Sequence, residues 1–169
     1  IGLVEILTGE LTSSRNHLQE AIQAAQKSIC KEGLSRGLSA LARVCRLSED
    51  TETAFENALS AINIAKVVNL PSCELFGEIE VGLALFSQGK HDVAIEHTQK
   101  AVTLMSLAGE SWLGCEEIYH AHSVVLRALG NISAADEYLQ QAKDSASAKA
   151  KRIPDQKQRQ RYIQFHSFN

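Results

Sequence analysis

The stretch VGLALFSQGKHDVAIEHTQKAV, residues 81–102, decides the fold. Its first half is an apolar segment that ends at Gly89. Its second half carries Ala94 and Ala101, which are seven residues apart and therefore lie on one face of a helix. Gly89 marks a turn between the two halves, because a glycine adopts a positive φ without steric cost. The stretch predicts two antiparallel helices joined by a short turn.

The same arrangement of small residues recurs along the chain at intervals of 40 or 41 residues. Small side chains let two helix backbones approach closely, and a single helix pair cannot bury both of its faces alone. The repetition therefore predicts a stack of helix pairs. The three columns that carry it are Gly9, Glu49, Gly89 and Gly130; Ser14, Ala54, Ala94 and Ala135; and Ala21, Ala61, Ala101 and Ala142.

We predict an all-α chain, a right-handed superhelical solenoid of about four antiparallel helix pairs followed by a C-terminal helix. It is expected to form one domain and to be a piece of a longer protein, because it begins at Ile1 in mid-helix. The predicted units are 1–33, 34–70, 71–110 and 111–153, with a terminal segment 154–169. The predicted helices are 1–8 and 12–30, 34–47 and 51–68, 72–88 and 91–108, 112–129 and 133–152, and finally 155–165.

Composition supports an all-α interpretation and narrows the partners. Apolar residues make up 44% of the 169 residues, which is enough for a core, whereas 5% aromatics and two prolines are too few for a β-sandwich or barrel. The net charge of −3 gives no reason to expect a nucleic acid or a membrane as partner.

The cysteines form no C-x-x-C motif, so we predict buried thiols in a reducing, cytoplasmic compartment; they are Cys30, Cys45, Cys73 and Cys115.

No catalytic or metal-binding motif is present in the sequence. The H-E-x-x-H motif, the phosphate-binding loops and the G-x-S-x-G motif are all missing, so we expect no enzyme activity, metal or cofactor. Glu116 and His120 are four residues apart and could share a metal, although an ordinary pair on a helix surface is the preferred interpretation. His122 falls in a packing column and is predicted to be a core histidine.

The chain resembles the tetratricopeptide repeat, in a version whose unit has about 40 residues instead of 34. This version is similar to the C-terminal part of bacterial multidomain signalling ATPases and of cyclase- or kinase-linked regulators. HEAT repeats have a comparable period but favour proline kinks, and both prolines here stand at helix starts. The signature residues are Val81, Gly82, Leu85, Ala94, Thr98 and Ala101 in the third unit, and Tyr119, Ser123, Leu126, Ala135, Leu139 and Ala142 in the fourth.

The resemblance implies that the first helix of each pair lines a concave groove. The arginines of the second unit fall on one helical stripe, and the apolar residues of the third unit fall on another. Either a partner covers this apolar stripe or the fold buries it internally. The predicted groove residues are Arg36, Arg43 and Arg46; Phe76, Ile79, Leu83 and Phe86; and His120, Val124 and Arg127, with Leu3 and Ile6 in the first unit. Trp112 opens the fourth unit and is predicted to pack in the core.

These features favour a protein–protein interaction module. We expect a scaffold or sensor segment of a cytoplasmic signalling or transcription-regulating protein that binds a peptide, a helix or a neighbouring domain of its own chain, or pairs as a homodimer. An apolar stripe beside arginines suits a partner with carboxylates. The alternative is a domain of a regulatory ATPase that senses a small-molecule inducer.

Overall fold

The computed structural model describes Gly2, Ile6, residues 9–108 and residues 114–168. These residues form eight α-helices and no strand, as predicted, and none of the helices within them is long and apolar enough to span a membrane. Gly2 and Ile6 are helical; the rest of the predicted helix 1–8, including Leu3, and Trp112 lie outside the described residues. The helices are α1 (Leu11–Lys27), α2 (Lys31–Leu47), α3 (Thr51–Val67), α4 (Pro71–Ser87), α5 (His91–Ala108), α6 (Cys115–Ala128), α7 (Ile132–Ala150) and α8 (Gln156–Phe165).

One kind of turn joins the first helices, which begin 20 residues apart at positions 11, 31, 51, 71 and 91. Each turn contains a residue in the left-handed region: Ile29 at φ 57°, Glu49 at 64°, Asn69 at 53° and Gly89 at 76°. The next residue then donates its backbone N–H to a carbonyl of the last helical turn, as Lys90 does to Leu85 at 2.9 Å. The glycine turn predicted at Gly89 is confirmed, and the non-glycine residues adopt the same geometry.

The start of α2 differs from the prediction, because α2 begins at Lys31 and not at residue 34. The Cys30 thiol accepts a hydrogen bond from the backbone N–H of Gly33 at 3.4 Å and thereby caps the helix. Gly33 therefore lies inside the first turn of α2. Cys30 is exposed, so the prediction that all four thiols are buried is wrong for this residue and confirmed for Cys45, Cys73 and Cys115.

The described residues fall into two compact units, 1–108 and 109–169, and the prediction of a single domain stays a prediction. In unit 1, which contains α1–α5, the alanine columns are buried as predicted: Ala54, Ala61, Ala94 and Ala101 are 0% exposed. Ala21 is the exception and is exposed. The Ser35 hydroxyl donates a hydrogen bond to the carbonyl of Ala61 at 2.9 Å, next to the buried part of this column.

Two glycines of α4 allow its neighbours in unit 1 to approach closely. A Cβ atom on Gly77 would lie 2.6 Å from Ile62 Cγ1 on α3, and one on Gly82 would lie 2.6 Å from Thr98 Cγ2 on α5. Backbone carbonyls of both neighbours lie 3.2 Å from the same positions. The central helix of unit 1 therefore has no room for a methyl group on either side.

Unit 2 consists of the antiparallel pair α6 and α7 together with α8. Its alanine columns are also buried, with Ala135 and Ala142 at 0% exposure. His122 is 1% exposed and lies edge-on to the Tyr138 ring with 4.6 Å between the centroids, so the prediction of a core histidine is confirmed. Burial lowers the pKa of His122 to about 4, and its imidazole is therefore neutral at neutral pH.

We expect Gly82→Ala to lower the free energy of unfolding by roughly 1–3 kcal/mol, because the added methyl group must displace α5. Intrinsic helix propensity would favour alanine by about 1 kcal/mol, so the sign of the change separates packing from propensity. Chemical denaturation measures the difference. Gly33→Ala is the matched control, because its Cβ would meet the flexible Cys30 side chain first, at 3.2 Å. A neutral Gly82→Ala variant would contradict the close contact.

We expect Ile29→Asn to raise the free energy of unfolding by up to about 1 kcal/mol, because the left-handed conformation costs a β-branched residue more than asparagine. The equivalent turn already carries Asn69. Leu107→Asn serves as control, because Leu107 has the same 77% exposure but is helical. The control substitution should not stabilise the protein in the same denaturation experiment.

Candidate interaction surface

The three predicted arginines of α2 occupy different environments. Arg36 is exposed and forms an ion pair with Glu32 one turn earlier, at 3.1 Å. Arg43 is half-buried. Arg46 has 17% of its side chain exposed, and its Nε donates to Glu80 Oε2 at 3.0 Å. Positive charge is thus available toward the N-terminal end of α2 and neutralised at its C-terminal end.

The predicted apolar stripe of α4 is half-exposed and not fully open. Phe76, Leu83 and Phe86 are each partly buried, whereas Ile79 is 6% exposed and belongs to the core. Phe86 also stacks on the imidazole of His91, with 4.8 Å between ring centroids. Ile79 is therefore not accessible to a partner, whereas Phe76, Leu83 and Phe86 form a shallow apolar surface.

The contact between Arg46 and Glu80 shows that the two stripes are neighbours. Arg46 belongs to the arginine stripe of α2, and Glu80 lies next to Ile79 and one turn before Leu83 on α4. A direct ion pair between them requires these faces of α2 and α4 to be adjacent. We call the combined area, formed by Arg36, Arg43, Arg46, Phe76, Leu83 and Phe86, the inner face of unit 1.

The predicted groove residues of α6 lie in unit 2 and are partly covered. The imidazole of His120 stacks on the Phe168 ring, with 4.6 Å between centroids, and burial lowers its pKa despite the nearby Glu117 carboxylate. Val124 is half-buried. Arg127 forms an ion pair with Asp136 of α7. The chain's own C-terminal segment therefore covers part of this stripe.

A buried carboxylate between α4 and α5 is a feature that the sequence analysis missed. Glu78 is 2% exposed; it lies 2.7 Å from His97 Nδ1 and is hydrogen-bonded to Lys100, which also pairs with Glu74 at 2.8 Å. Burial alone would raise the pKa of Glu78, but the hydrogen bonds from His97 and Lys100 outweigh burial and hold its pKa below the usual value. The sequence does contain a signal for this site, because Glu74 and Glu78 are four residues apart in an otherwise apolar helix.

A second buried carboxylate, Glu116, organises unit 2. It is 3% exposed, accepts a hydrogen bond from Lys149 of α7, and accepts another from the Tyr162 hydroxyl of α8 at 2.6 Å. Burial opposes its ionisation, yet these donors lower its pKa. Glu116 is thus occupied by protein donors, and no group of three potential metal ligands occurs among the residues described here.

Unit 2 also contains an open cleft of about 610 Å³ between α6 and α7. Its lining is polar and apolar in about equal parts, and the Cys115 thiol in it lies 2.8 Å from the Ser145 hydroxyl. The volume is within the range of small-ligand sites, but those sites are usually apolar. The other lining residues are Tyr119, Gln141, Asp144, Ala148, Lys149 and Arg152.

Residues 77–148 match the family model of the tetratricopeptide repeat. The fold is similar to the TPR domain of Arabidopsis FLU, with a TM-score of 0.62 and 19% identity over 70% of this chain and 98% of that one. It is also similar to BtubC from P. vanneervenii, with a TM-score of 0.66 and 14% identity over 87% of this chain. The match spans 61% of the BtubC chain. No curated protein matches the chain in sequence.

The helix pairs, the small-residue columns and these matches define a helical-repeat fold. Residues 77–148 match the tetratricopeptide repeat, as the sequence predicted, and the fold is that of tetratricopeptide-repeat domains. The link to bacterial signalling ATPases and the cytoplasmic location stay predictions from the resemblance.

We expect Lys100→Met to lower the free energy of unfolding by roughly 2 kcal/mol near neutral pH, because the buried Glu78 carboxylate loses a charged donor and keeps His97. Lys66→Met is the matched control: Lys66 is 50% exposed and lies 3.9 Å from Glu74, so its loss should cost less than about 0.5 kcal/mol. Urea denaturation measures both changes.

The cost of Lys100→Met should shrink in acid. Because folding lowers the pKa of Glu78, its contribution is complete above the unfolded-state pKa of about 4.3 and is lost as the pH falls through the lower folded-state pKa. Repeating the denaturation from neutral pH down to below about pH 4 tests this. A cost that stays constant across that range would mean that Lys100 acts through its apolar stem and not through the carboxylate.

Proposed function

We propose that the chain is a protein–protein interaction module and that the inner face of unit 1 binds a peptide or helix that carries both apolar side chains and carboxylates. The observation that carries this proposal is the half-exposed apolar stripe of α4 beside the arginines of α2. A helix as apolar as α4 should be buried all round. Phe76, Leu83 and Phe86 nevertheless keep part of their surface in solvent.

The charges on this face support an acidic partner. Arg36 forms its ion pair with Glu32 of its own helix, and such an exposed pair contributes about 0–1 kcal/mol, so a partner's carboxylate can replace it at little cost. Arg46, in contrast, is held by Glu80 and serves to fix α2 against α4. The face is therefore preformed, which reduces the ordering entropy lost on binding. A signalling or regulatory context remains an expectation.

The cleft of unit 2 favours a second candidate, a small-molecule sensor. Its volume would accommodate a metabolite, and Arg152 and Lys149 on its rim would favour an anionic one. A thermal-shift screen distinguishes the two candidates, because a ligand that binds only the folded protein raises its melting temperature at saturating concentration. Stabilisation by a small anion that Arg152→Ala abolishes would support the sensor.

We expect Leu83→Asp to weaken peptide binding by at least about ten-fold, or 1.4 kcal/mol, because it places a charge in the apolar half of the face. Ligands selected from a displayed library of random peptides provide the probe, and they should be enriched in Asp, Glu and apolar residues. Val93→Asp is the control, because Val93 is a 45% exposed apolar residue of α5 outside this face.

Circular dichroism should show unchanged helicity for both variants. Selected peptides that bind the Leu83→Asp and Val93→Asp variants equally well would show that the inner face is not the binding surface. An absence of any acidic preference among the selected peptides would contradict the role given to Arg36 and Arg43.

A further inference from the structure

The C-terminal segment lies against the N-terminal half of α6 through three side chains. The Tyr162 hydroxyl donates to Glu116 Oε1 at 2.6 Å, and His166 Nε2 lies 3.7 Å from the same oxygen. The Phe168 ring stacks on His120, with the ring planes 26° apart. We call residues 162–168 the tail and the residues Glu116, Glu117 and His120 the tail site.

The fold of α8 depends on these contacts. None of its ten residues is buried, and Ile163 and Phe165 are 50% and 47% exposed. An isolated helix of this length is marginal in water, so α8 relies on the docked tail together with its Asp155 cap and the hydrogen bonds from Arg159 to the Ile153 carbonyl. A segment attached by so few buried groups opens locally at a low free energy compared with global unfolding.

The conformation of Phe168 indicates specific docking of the tail. This bulky residue has a φ of 43°, in the left-handed region that non-glycine residues avoid. In this conformation its ring stacks on His120. The tail site therefore holds an aromatic ring against His120 in addition to accepting the hydrogen bond from Tyr162.

The tail is separable from the rest of unit 2. Glu116 keeps its hydrogen bond from Lys149 of α7 when Tyr162 leaves, so undocking does not leave a buried carboxylate without a donor. The Tyr162 hydroxyl is thus one of two side-chain donors to Glu116, and the other belongs to α7.

We propose that the tail site is a binding surface for protein segments with spaced aromatic side chains and a hydrogen-bond donor, and that the tail occupies it as an intramolecular ligand. An external segment of the same chemistry displaces the tail. Binding at α6 is thereby gated by the chain's own C-terminal segment, and the face of His120 that Phe168 covers becomes accessible to a partner after displacement. This inference concerns unit 2 and does not depend on the function proposed for unit 1.

A labelled synthetic peptide of residues 156–169 tests the proposal. We expect it to bind the full chain carrying Tyr162→Phe and Phe168→Ala at least about ten-fold more tightly than the wild-type chain, because the attached tail competes at millimolar effective concentration. Fluorescence anisotropy measures the affinity. A control peptide carrying the same two substitutions should bind the weakened chain at least about ten-fold less tightly.

The single variant Ile163→Ala is the matched control protein. It changes an exposed residue of α8, leaves the tail docked, and should therefore bind the peptide as weakly as the wild-type chain does. Equal peptide affinity for the wild-type and weakened chains would overturn the proposal, and so would a lack of binding to the weakened chain.

Hydrogen exchange provides a second test that does not use the peptide. In the weakened chain, amide protection should fall in residues 156–166 and remain unchanged in α6 and α7. Loss of protection throughout α6 and α7 would show that the tail is an integral part of the fold, and the proposal of a displaceable ligand would then be wrong.

Discussion

The close approach of α4 to its two neighbours is the constraint on which unit 1 depends. Backbone carbonyls of α3 and α5 lie 3.2 Å from the positions that Cβ atoms of Gly77 and Gly82 would occupy. At this distance α4 is enclosed on both sides, and its turns bury acidic as well as apolar residues. The small residues thus determine where the helices lie and also which charges are withdrawn from water.

Withdrawing those charges has a direct structural consequence. A buried carboxylate is tolerated only when donors surround it, and α4 buries two of them, Glu78 and Glu80. Lys100 of α5 satisfies the first and Arg46 of α2 satisfies the second. Each ion pair joins α4 to a different neighbouring helix. The polar groups of the core therefore fix the relative positions of α2 and α4, which is what brings an arginine stripe next to an apolar stripe.

The repeat and the helix class could be predicted from the sequence, because both follow from the spacing of small residues. The columns of Ala54, Ala94 and Ala135 required no three-dimensional information. The turn at Ile29 could not be predicted, because it uses a β-branched residue where glycine or asparagine is usual. The cap at Cys30 was missed for a similar reason, since thiols rarely replace hydroxyl or carboxylate caps.

The groove residues could be predicted only in part. A helical stripe can be read from spacing, but the enclosure of Ile79 and the pairing of Arg46 depend on α4 and its neighbours packing together. The partners Glu80 and Lys100 are 34 and 22 residues from the groups that they neutralise. Sequence spacing does not reveal such pairs, because they form between helices whose relative rotation is set by the core.

Glu78 in unit 1 and Glu116 in unit 2 are both buried carboxylates that need hydrogen-bond donors, but the donors are attached differently in the two units. Every donor to Glu78 lies on α5, which is itself part of the core, so the arrangement is fixed. Glu116 receives one donor from α7 and another from α8, a helix without a buried residue. Because Lys149 still donates to Glu116 when Tyr162 leaves, the Tyr162 contact can be exchanged without leaving the carboxylate bare. Glu116 can therefore lose the Tyr162 hydroxyl and accept a hydrogen bond from another donor in its place. This replaceable contact is a structural basis for exchange between the tail and an external segment.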